Sequence, residues 1–167
     1  MAWLPALSIS LTWLLVPLLI AVILFDLRLM RIPNALVAMF LIVFVASLPF
    51  SVPDPMPYGE LWARIAAALI VLVVGFVTFV LRIMGGGDVK ILFVLMLFIP
   101  SALWSHFALI FAVCLFLGIG AMLALRFLLR NVQTNWRSLH DKRRFPMGLS
   151  IGAAGLVLLF LTPSLLS

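Results

Sequence analysis

The sequence predicts an all-α, polytopic membrane protein with about six transmembrane helices. The chain has 167 residues, of which 66% are hydrophobic and only 10% are charged, and its mean hydropathy is +1.36. A soluble domain of this size cannot bury so much apolar surface, so much of that surface must face lipid. The lengths of the apolar runs and the positions of the basic residues then predict the number and orientation of the helices.

Apolar runs of suitable length set the number of predicted helices. About 20 apolar residues, at a rise of ~1.5 Å each, cross the ~30 Å hydrocarbon layer of a bilayer. The run 89–125 is too long for one crossing, and Pro100 divides it because proline interrupts an α-helix. The sequence therefore predicts one membrane-embedded domain, residues 1–167, without a separate soluble domain. Its helices are predicted at residues 6–25, 35–50, 62–81, 89–104, 106–125 and 147–163.

The basic residues predict which side of the membrane each helix end occupies. Lysine and arginine concentrate in cytoplasmic loops, and six helices with both termini outside place ten of the eleven basic residues on one side. Only Arg64 falls on the other side. Because no soluble basic domain accompanies the net charge of +6, this charge predicts contact with anionic lipids of the cytoplasmic leaflet rather than with nucleic acid. The ten residues are Arg28, Arg31, Arg82, Lys90, Arg126, Arg130, Arg137, Lys142, Arg143 and Arg144.

The potential metal ligands are few and scattered. Cys114 is the single cysteine, which rules out an internal disulfide and a cysteine-based zinc site. His106 and His140 have no ligand partner at a useful spacing. We therefore expect neither a metal nor another cofactor. No feature of the sequence predicts an oligomeric state.

Two of the five acidic residues fall where a charge needs an explanation. Asp54 and Glu60 are predicted in an outer loop, where solvent accounts for them, and Asp141 pairs with the cations beside it. Asp26 and Asp88 fall at the cytoplasmic ends of two predicted helices, where an ionisable group is costly and is a candidate functional residue. Helix capping is an alternative explanation for Asp88, which begins a helix, but not for Asp26, which ends one.

The two aspartates are predicted on the same side of the membrane, although 62 residues separate them in the chain. Packing of their helices could bring the carboxyl groups of Asp26 and Asp88 together. Two carboxyl groups within ~3 Å share one proton, because both cannot easily ionise. One can then act as a general base on a water and the other as a general acid on the scissile peptide. This is the arrangement of aspartic proteases, and it needs no metal.

The segment before Asp88 is a glycine triplet, and a lysine follows soon after. Gly85, Gly86 and Gly87 permit positive φ and close backbone approach, either for a substrate strand or for Asp26; a flexible loop that merely starts a helix is the alternative. Lys90 could tune the protonation of the carboxylates, or act only as a topology anchor at the membrane surface.

The segments around the two aspartates resemble the GxGD intramembrane aspartyl proteases, and the type IV prepilin peptidase family in particular. The signature itself is matched by Gly85, Gly86, Gly87 and Asp88, and it continues into Val89 and Lys90. The family also has an aspartate at the end of an early helix, followed by an Ile-Pro-Asn sequence, which is matched here by Asp26 and by Ile32, Pro33 and Asn34. A weaker match is FPMGLSIGAAG, residues 145–155, which is similar to the start of the last helix in the family.

The resemblance implies an enzyme that removes the leader peptide from type IV prepilin-like precursors at the cytoplasmic face of a prokaryotic inner membrane. It implies Asp26 and Asp88 as the catalytic pair, the glycines and Lys90 as the motif loop, and residues 32–34 as a structural motif. Larger members carry a cytoplasmic domain with paired cysteines and also N-methylate the new amino terminus. This chain has one cysteine and resembles the compact peptidases of tight-adherence (Flp-type) pilus systems or of archaeal preflagellins, which implies cleavage without methylation.

Two other kinds of membrane protein fit parts of the sequence. One is a small transporter or ion pathway in which Asp26 and Asp88 bind a cation, although such a site is expected near the middle of the bilayer rather than at one face. The other is a non-enzymatic scaffold of a secretion machine, in which the glycines serve only helix packing.

Overall fold

A computed structural model describes residues 9–48, 58–128 and 145–165 of the chain. All regular structure in these three ranges is helical, so the prediction of an all-α fold is confirmed. The expectations for Asp54, His140, Asp141 and the cations between 130 and 144 lie outside the described residues. The helices are α1 (Ile9–Leu29), α2 (Asn34–Ser47), α3 (Tyr58–Val80), α4 (Gly86–Phe98), a 3-10 helix (Ser101–Leu103), α5 (Trp104–Leu128) and α6 (Met147–Leu165).

The largest difference from the predicted helix limits is in α4. It begins at Gly86 and ends at Phe98, whereas the sequence predicted a helix over 89–104. Ile99 has extended backbone angles, φ −88° and ψ 119°, because it precedes Pro100 and a residue before proline is pushed out of the α region. The helix therefore stops before the proline, and the glycines at its other end form its first turn.

Four helices enclose the core, and the other two lie outside them. Helix α1 packs against α2 and α6, and α4 packs against the same two helices from the opposite side. Helix α3 packs on the outside of α4, and α5 packs on the outside of α6. The side chains that these four helices enclose are almost entirely apolar, so the helices are held together by apolar packing. The most deeply buried of them include Leu19, Val22, Phe40, Ile91, Val94 and Ile151.

Glycines let α6 approach α1 closely. A β-carbon added to Gly152 would lie 2.6 Å from Cγ1 of Ile23 and 3.0 Å from the carbonyl oxygen of Leu19. A β-carbon on Gly155 would lie 2.9 Å from Cδ2 of Leu19. Small residues at such spacing allow two helix backbones to pack at short distance, as is common in membrane proteins. This close packing holds α6 against α1 along the turns that precede Asp26.

A polar cluster joins α3 to the 3-10 helix at the end of the fold where α4 finishes. Glu60 Oε1 accepts hydrogen bonds from Nε of Arg64 at 2.9 Å and from the backbone N–H of Ser101 at 2.8 Å. The Ser101 hydroxyl donates to the other carboxylate oxygen at 2.6 Å. Arg64 is 6% exposed, and its Nη1 lies 3.5 Å from the carbonyl oxygen of Phe98. Glu60 therefore belongs to a helix and a packed network, and the expectation that it lies solvated in a loop was wrong.

Two helical stretches of the described chain have the length and apolar character needed to cross a membrane. They are Tyr58–Val80 and Ser101–Leu128, and most of their surface is exposed in the fold. Asn34–Ser47 and Met147–Thr162 are apolar but shorter. Large apolar side chains such as Ile70, Phe76 and Phe116 project outward, as expected where lipid is the solvent. The count of six membrane crossings stays a prediction.

Candidate active site

Asp26 lies in the last turn of α1, and its backbone is held by the way this helix ends. The N–H of Met30 donates to the carbonyl oxygen of Asp26 at 2.9 Å, and Met30 has a positive φ of 51°. A left-handed residue that closes such a bond is a common helix C-terminal motif. The Asp26 side chain is 5% exposed, so its carboxylate points into the protein rather than into solvent.

The Asp26 carboxylate accepts hydrogen bonds from the first turn of α6. The backbone N–H of Leu149 donates to Oδ2 at 3.2 Å, and the N–H of Gly148 also faces the carboxylate. The first N–H groups of an α-helix have no partner within the helix and are normally bonded by a capping side chain. The residue before α6 is Pro146, whose side chain has no acceptor atom. Asp26 thus supplies from another helix the cap that the local sequence lacks.

Asp88 is the third residue of α4 and is held by the beginning of its own helix. Its backbone N–H donates to the carbonyl oxygen of Gly85 at 3.1 Å, and its carboxylate reaches back to the N–H of Gly85. A carboxylate in the first turn that bonds the N–H of the residue before the helix is half of a capping box. The Asp88 side chain is half-buried. The capping alternative considered for Asp88 therefore describes its local bonding correctly.

The two carboxylates lie at the same end of the helical bundle, each at a helix end. Asp26 is in the last turn of α1, Asp88 is in the first turn of α4, and the first turn of α6 contacts Asp26. The carboxylates of Asp26 and Asp88 are close enough to interact electrostatically. The N-terminal ends of α4 and α6 carry partial positive charge, which favours negative groups at this position. With a water between them, one carboxyl group could remove a proton from the water, and the other could donate a proton to the reacting peptide.

Each glycine of the triplet occupies a different steric position. A β-carbon on Gly87 would lie 3.2 Å from Cβ of Ile32, one on Gly86 would lie 3.2 Å from the ring of Phe79, and one on Gly85 would lie 2.7 Å from Oδ2 of Asp88. Among the described glycines none has a positive φ. The glycines are thus closely packed against Ile32, Phe79 and Asp88 with negative φ angles, and the close approach of a substrate strand or of Asp26 stays a prediction.

The motif residues of the α1–α2 connection contact the motif residues of α4. Ile32 is buried against Gly87, and Pro33 immediately precedes α2. Nζ of Lys90 donates to Oδ1 of Asn34 at 2.9 Å. Two segments that lie 56 residues apart in the chain are therefore joined by an apolar contact and by a hydrogen bond.

The sequence reasoning missed the part played by α6. It treated residues 145–155 as a weak family match and assigned no role to Gly148 or Leu149. The available signal was Pro146 two residues before Gly148. A proline has no side-chain acceptor with which to cap the helix, so it leaves N–H groups for a carboxylate from elsewhere. In the part of the chain that the structure describes, no group of three or more His, Cys, Asp or Glu side chains is placed to hold a metal ion.

The fold and this site define a helical protein with two carboxylates at helix ends on one side of the bundle. Residues 13–125 match a family model, Peptidase_A24, described as the type IV leader peptidase family. The match spans more than half of the chain and contains both Asp26 and Asp88, so the chain belongs to the type IV leader peptidase family. Comparison with curated proteins and with solved structures found no match. The family membership makes the chain a leader-peptidase-like protease, and with the apolar helices it indicates a membrane protein.

Proposed function

We propose that this protein is an intramembrane aspartic endopeptidase that removes the leader from type IV prepilin-like precursors, with Asp26 and Asp88 as its catalytic pair. The observation that supports the proposal is that the two carboxylates interact electrostatically at one end of the helical bundle, inside the part of the chain that matches the family. Neither a metal nor another cofactor is required, because a carboxyl pair supplies both the base and the acid.

The reaction follows from the chemistry of such a pair. The ionised carboxylate takes a proton from a water, and the water oxygen bonds to the carbonyl carbon of the scissile peptide. The protonated partner stabilises the oxygen of the tetrahedral species by donating to it. A proton then passes to the amide nitrogen, the C–N bond breaks, and the products are the leader with a new carboxyl group and the mature protein with a new amino terminus. The pair returns to its starting state with one shared proton.

The positions of the site and of the basic residues support the proposed membrane face and the proposed approach of the substrate. Helices α1, α3 and α5 end on the side where basic residues concentrate, and Arg28, Arg82 and Lys90 lie near the aspartates in sequence. Positive residues remain in the cytoplasm, so we assign the site to the cytoplasmic face of a prokaryotic inner membrane. The membrane-spanning part of a prepilin-like substrate would then lie beside the helices, with its leader at the carboxylates. Anionic lipids of the same leaflet would contact the basic residues.

Peptide cleavage without N-methylation is the form of the activity that the composition favours. The larger members of the family that this sequence resembles have a separate cytoplasmic domain with paired cysteines. The only cysteine of this chain is Cys114. A cation pathway is the second candidate for the paired aspartates. It is less favoured because both carboxylates lie at helix ends, whereas a transport site is expected at the middle of the bilayer.

The proposal is tested by co-expressing the chain with a prepilin-like precursor and following the loss of the leader on a gel. We expect the wild-type chain to shorten the precursor, and Asp26→Asn and Asp88→Asn each to stop cleavage. Glu60→Gln is the matched control, since it makes the same carboxyl-to-amide change at the other end of the fold, and it should cleave normally. Mass spectrometry of the product should find an unmethylated amino terminus. Continued processing by either aspartate variant would refute the carboxyl-pair mechanism.

A further inference from the structure

The first turn of α6 touches the Asp26 side chain through two kinds of contact. The Leu149 N–H donates a hydrogen bond to Oδ2 at 3.2 Å. Gly148 packs so closely that an added β-carbon would lie 2.8 Å from Oδ2 and 2.9 Å from Cβ and Cγ of Asp26. Real β-carbons essentially never approach other atoms within 3.0 Å, so the contact requires glycine at this position.

We infer that Gly148 and the Leu149 N–H form a positioning element for Asp26, in which Gly148 admits the carboxylate to the end of α6 and the N–H fixes its direction. The inference rests on the proposed function, because it gives α6 a part in the same peptide cleavage. Gly148 and Leu149 are positioning residues, since they act on the substrate only through Asp26.

Electrostatics explain why Asp26 needs this element. Asp26 ends α1, and the C-terminal end of a helix carries partial negative charge that opposes a carboxylate. The N-terminal end of α6 carries the opposite partial charge and offers N–H groups that lack partners in their own helix. The Asp26 carboxylate is therefore stabilised by the N-terminal end of α6, although the C-terminal end of its own helix, α1, disfavours a negative charge. A displacement of about 1 Å at such a group can cost on the order of 100-fold in rate.

The same pair of helices provides a control position. A β-carbon on Gly152 would lie 2.6 Å from Cγ1 of Ile23, an overlap as severe as the one at Gly148. The atoms that it meets belong to Ile23 and to the carbonyl group of Leu19, which precede Asp26 by one and two turns of α1, rather than to the carboxylate. Gly148→Ala and Gly152→Ala therefore disturb the same interface to a similar degree, but only the first one overlaps the Asp26 side chain itself.

The first experiment measures cleavage by the full-length chain in membrane vesicles, with a prepilin-like precursor as the substrate. We expect Gly148→Ala to lower kcat by about 100-fold with KM changed less than about twofold. Gly152→Ala should lower the unfolding temperature at least as much as Gly148→Ala and retain kcat within about fivefold. Equal losses of kcat in the two variants would overturn the inference, because α6 would then act only through general packing.

A second pair of variants tests the hydrogen bond without adding bulk at Gly148. Leu149→Pro removes the N–H, and Leu149→Ala keeps it while also shortening the side chain. Proline at residue 149 breaks no hydrogen bond within α6, because the N–H groups of the first turn have no partner in their own helix, but its ring also restricts the backbone of Gly148. We expect kcat of the proline variant to be at least tenfold below that of the alanine variant, and we expect its pH–rate profile to be displaced. Equal kcat values and equal profiles would overturn the inference.

The unfolding temperature separates failure of this inference from failure of the proposed function. A wild-type chain that cleaves no prepilin-like precursor would refute the proposed function. The hydrogen bond between the Leu149 N–H and Asp26 could still be tested by measuring unfolding temperatures. The proline variant should unfold at a lower temperature than the alanine variant when Asp26 is present, and this difference should become smaller in Asp26→Ala, which has no acceptor but keeps the backbone restriction at Gly148. A difference of the same size in both backgrounds would overturn the inferred contact.

Discussion

Nζ of Lys90 donates a hydrogen bond of 2.9 Å to Oδ1 of Asn34, and this bond ties together the two segments that carry the aspartates. Both side chains are exposed, so the bond contributes little to global stability, on the order of 1 kcal/mol or less. The bond matters because it fixes the relative position of two segments. Asn34 begins α2 just after the connection from α1, and Lys90 follows Asp88 by two residues in α4. The bond therefore limits movement of one aspartate segment relative to the other.

Lys90→Met is expected to lower the cleavage rate about fivefold while changing the unfolding temperature by less than about 2 °C. Methionine keeps an apolar side chain of similar length but cannot donate to Asn34, so the two segments lose one restraint and the carboxylates are held less precisely. Lys90→Arg retains a donor and is the matched control. The measurement is the initial rate of leader removal at equal amounts of folded protein.

The assignment of this effect to the hydrogen bond is checked by a double-mutant cycle. Adding Asn34→Ala to Lys90→Met should cause little further loss of rate, because the partner is already absent. Fully additive losses would show that Lys90 acts on the reaction in some other way, such as through contact with the substrate.

The three glycines before Asp88 are expected to differ in their tolerance to alanine. Gly87→Ala should reduce both folding yield and cleavage strongly, because the new methyl group meets Cβ of Ile32 at 3.2 Å and its backbone nitrogen at 3.5 Å, and neither atom can move alone. Gly86→Ala should retain most activity, because its methyl group meets only the ring of Phe79, which is 47% exposed and free to shift. The measurements are the yield of folded protein in detergent and the cleavage rate.

Gly85→Ala is expected to fold but to cleave slowly. Its methyl group would lie 2.7 Å from Oδ2 of Asp88, so the carboxylate must turn away from its position in the first turn of α4. The yield of folded protein should therefore separate this variant from Gly87→Ala, although both lose activity. If Gly86→Ala proved the most damaging of the three, the steric roles assigned to the triplet would be wrong.

The sequence was sufficient to predict the helices and to single out Asp26 and Asp88 as candidate site residues, but not the way in which the structure holds their side chains. Apolar run length and Pro100 follow simple physical rules, so the helical fold and the break before α5 were predicted, with an error of six residues at the end of α4. The contact of Asp26 with the first turn of α6 depends on the angle and spacing of two packed helices, which approach closely at Gly152 and Gly155. Such tertiary spacing leaves no periodic pattern in the sequence.

Arg82→Gly is expected to stabilise the protein. Arg82 has a positive φ of 59° just after α3, where its N–H donates to the carbonyl oxygen of Phe79 at 2.9 Å and the N–H of Ile83 donates to that of Thr78 at 3.0 Å. This bonding is that of a Schellman motif, in which glycine is preferred because a side chain in the left-handed region costs about 1 kcal/mol. Glycine should therefore raise the unfolding temperature by a few degrees in a detergent thermal melt.

Arg82→Ala is the control for loss of the arginine charge. Alanine keeps a β-carbon, so it should not relieve the backbone strain and should not raise the unfolding temperature. If alanine stabilised as much as glycine, the gain would come from removing a cation near Lys90 and the other basic residues rather than from the backbone. Cleavage by Arg82→Gly should stay near the wild-type rate, because the backbone path into the glycine triplet is unchanged.

Glu60→Ala is expected to destabilise the fold without a direct effect on catalysis. The change removes the acceptor of Arg64 and of Ser101, leaving the buried guanidinium without its carboxylate, and should cost about 2 kcal/mol of unfolding free energy. Ser101→Ala removes only the hydroxyl bond and should cost about 1 kcal/mol. Adding Arg64→Met to Glu60→Ala should recover part of the loss, because replacing both partners leaves no unpaired buried charge. We expect the three variants to cleave at the wild-type rate per folded molecule when the rate is measured well below the unfolding temperature. The reason is that this cluster lies at the other end of α4 from Asp88. A lower rate in fully folded Glu60→Ala would mean that the cluster is coupled to the aspartates through α4.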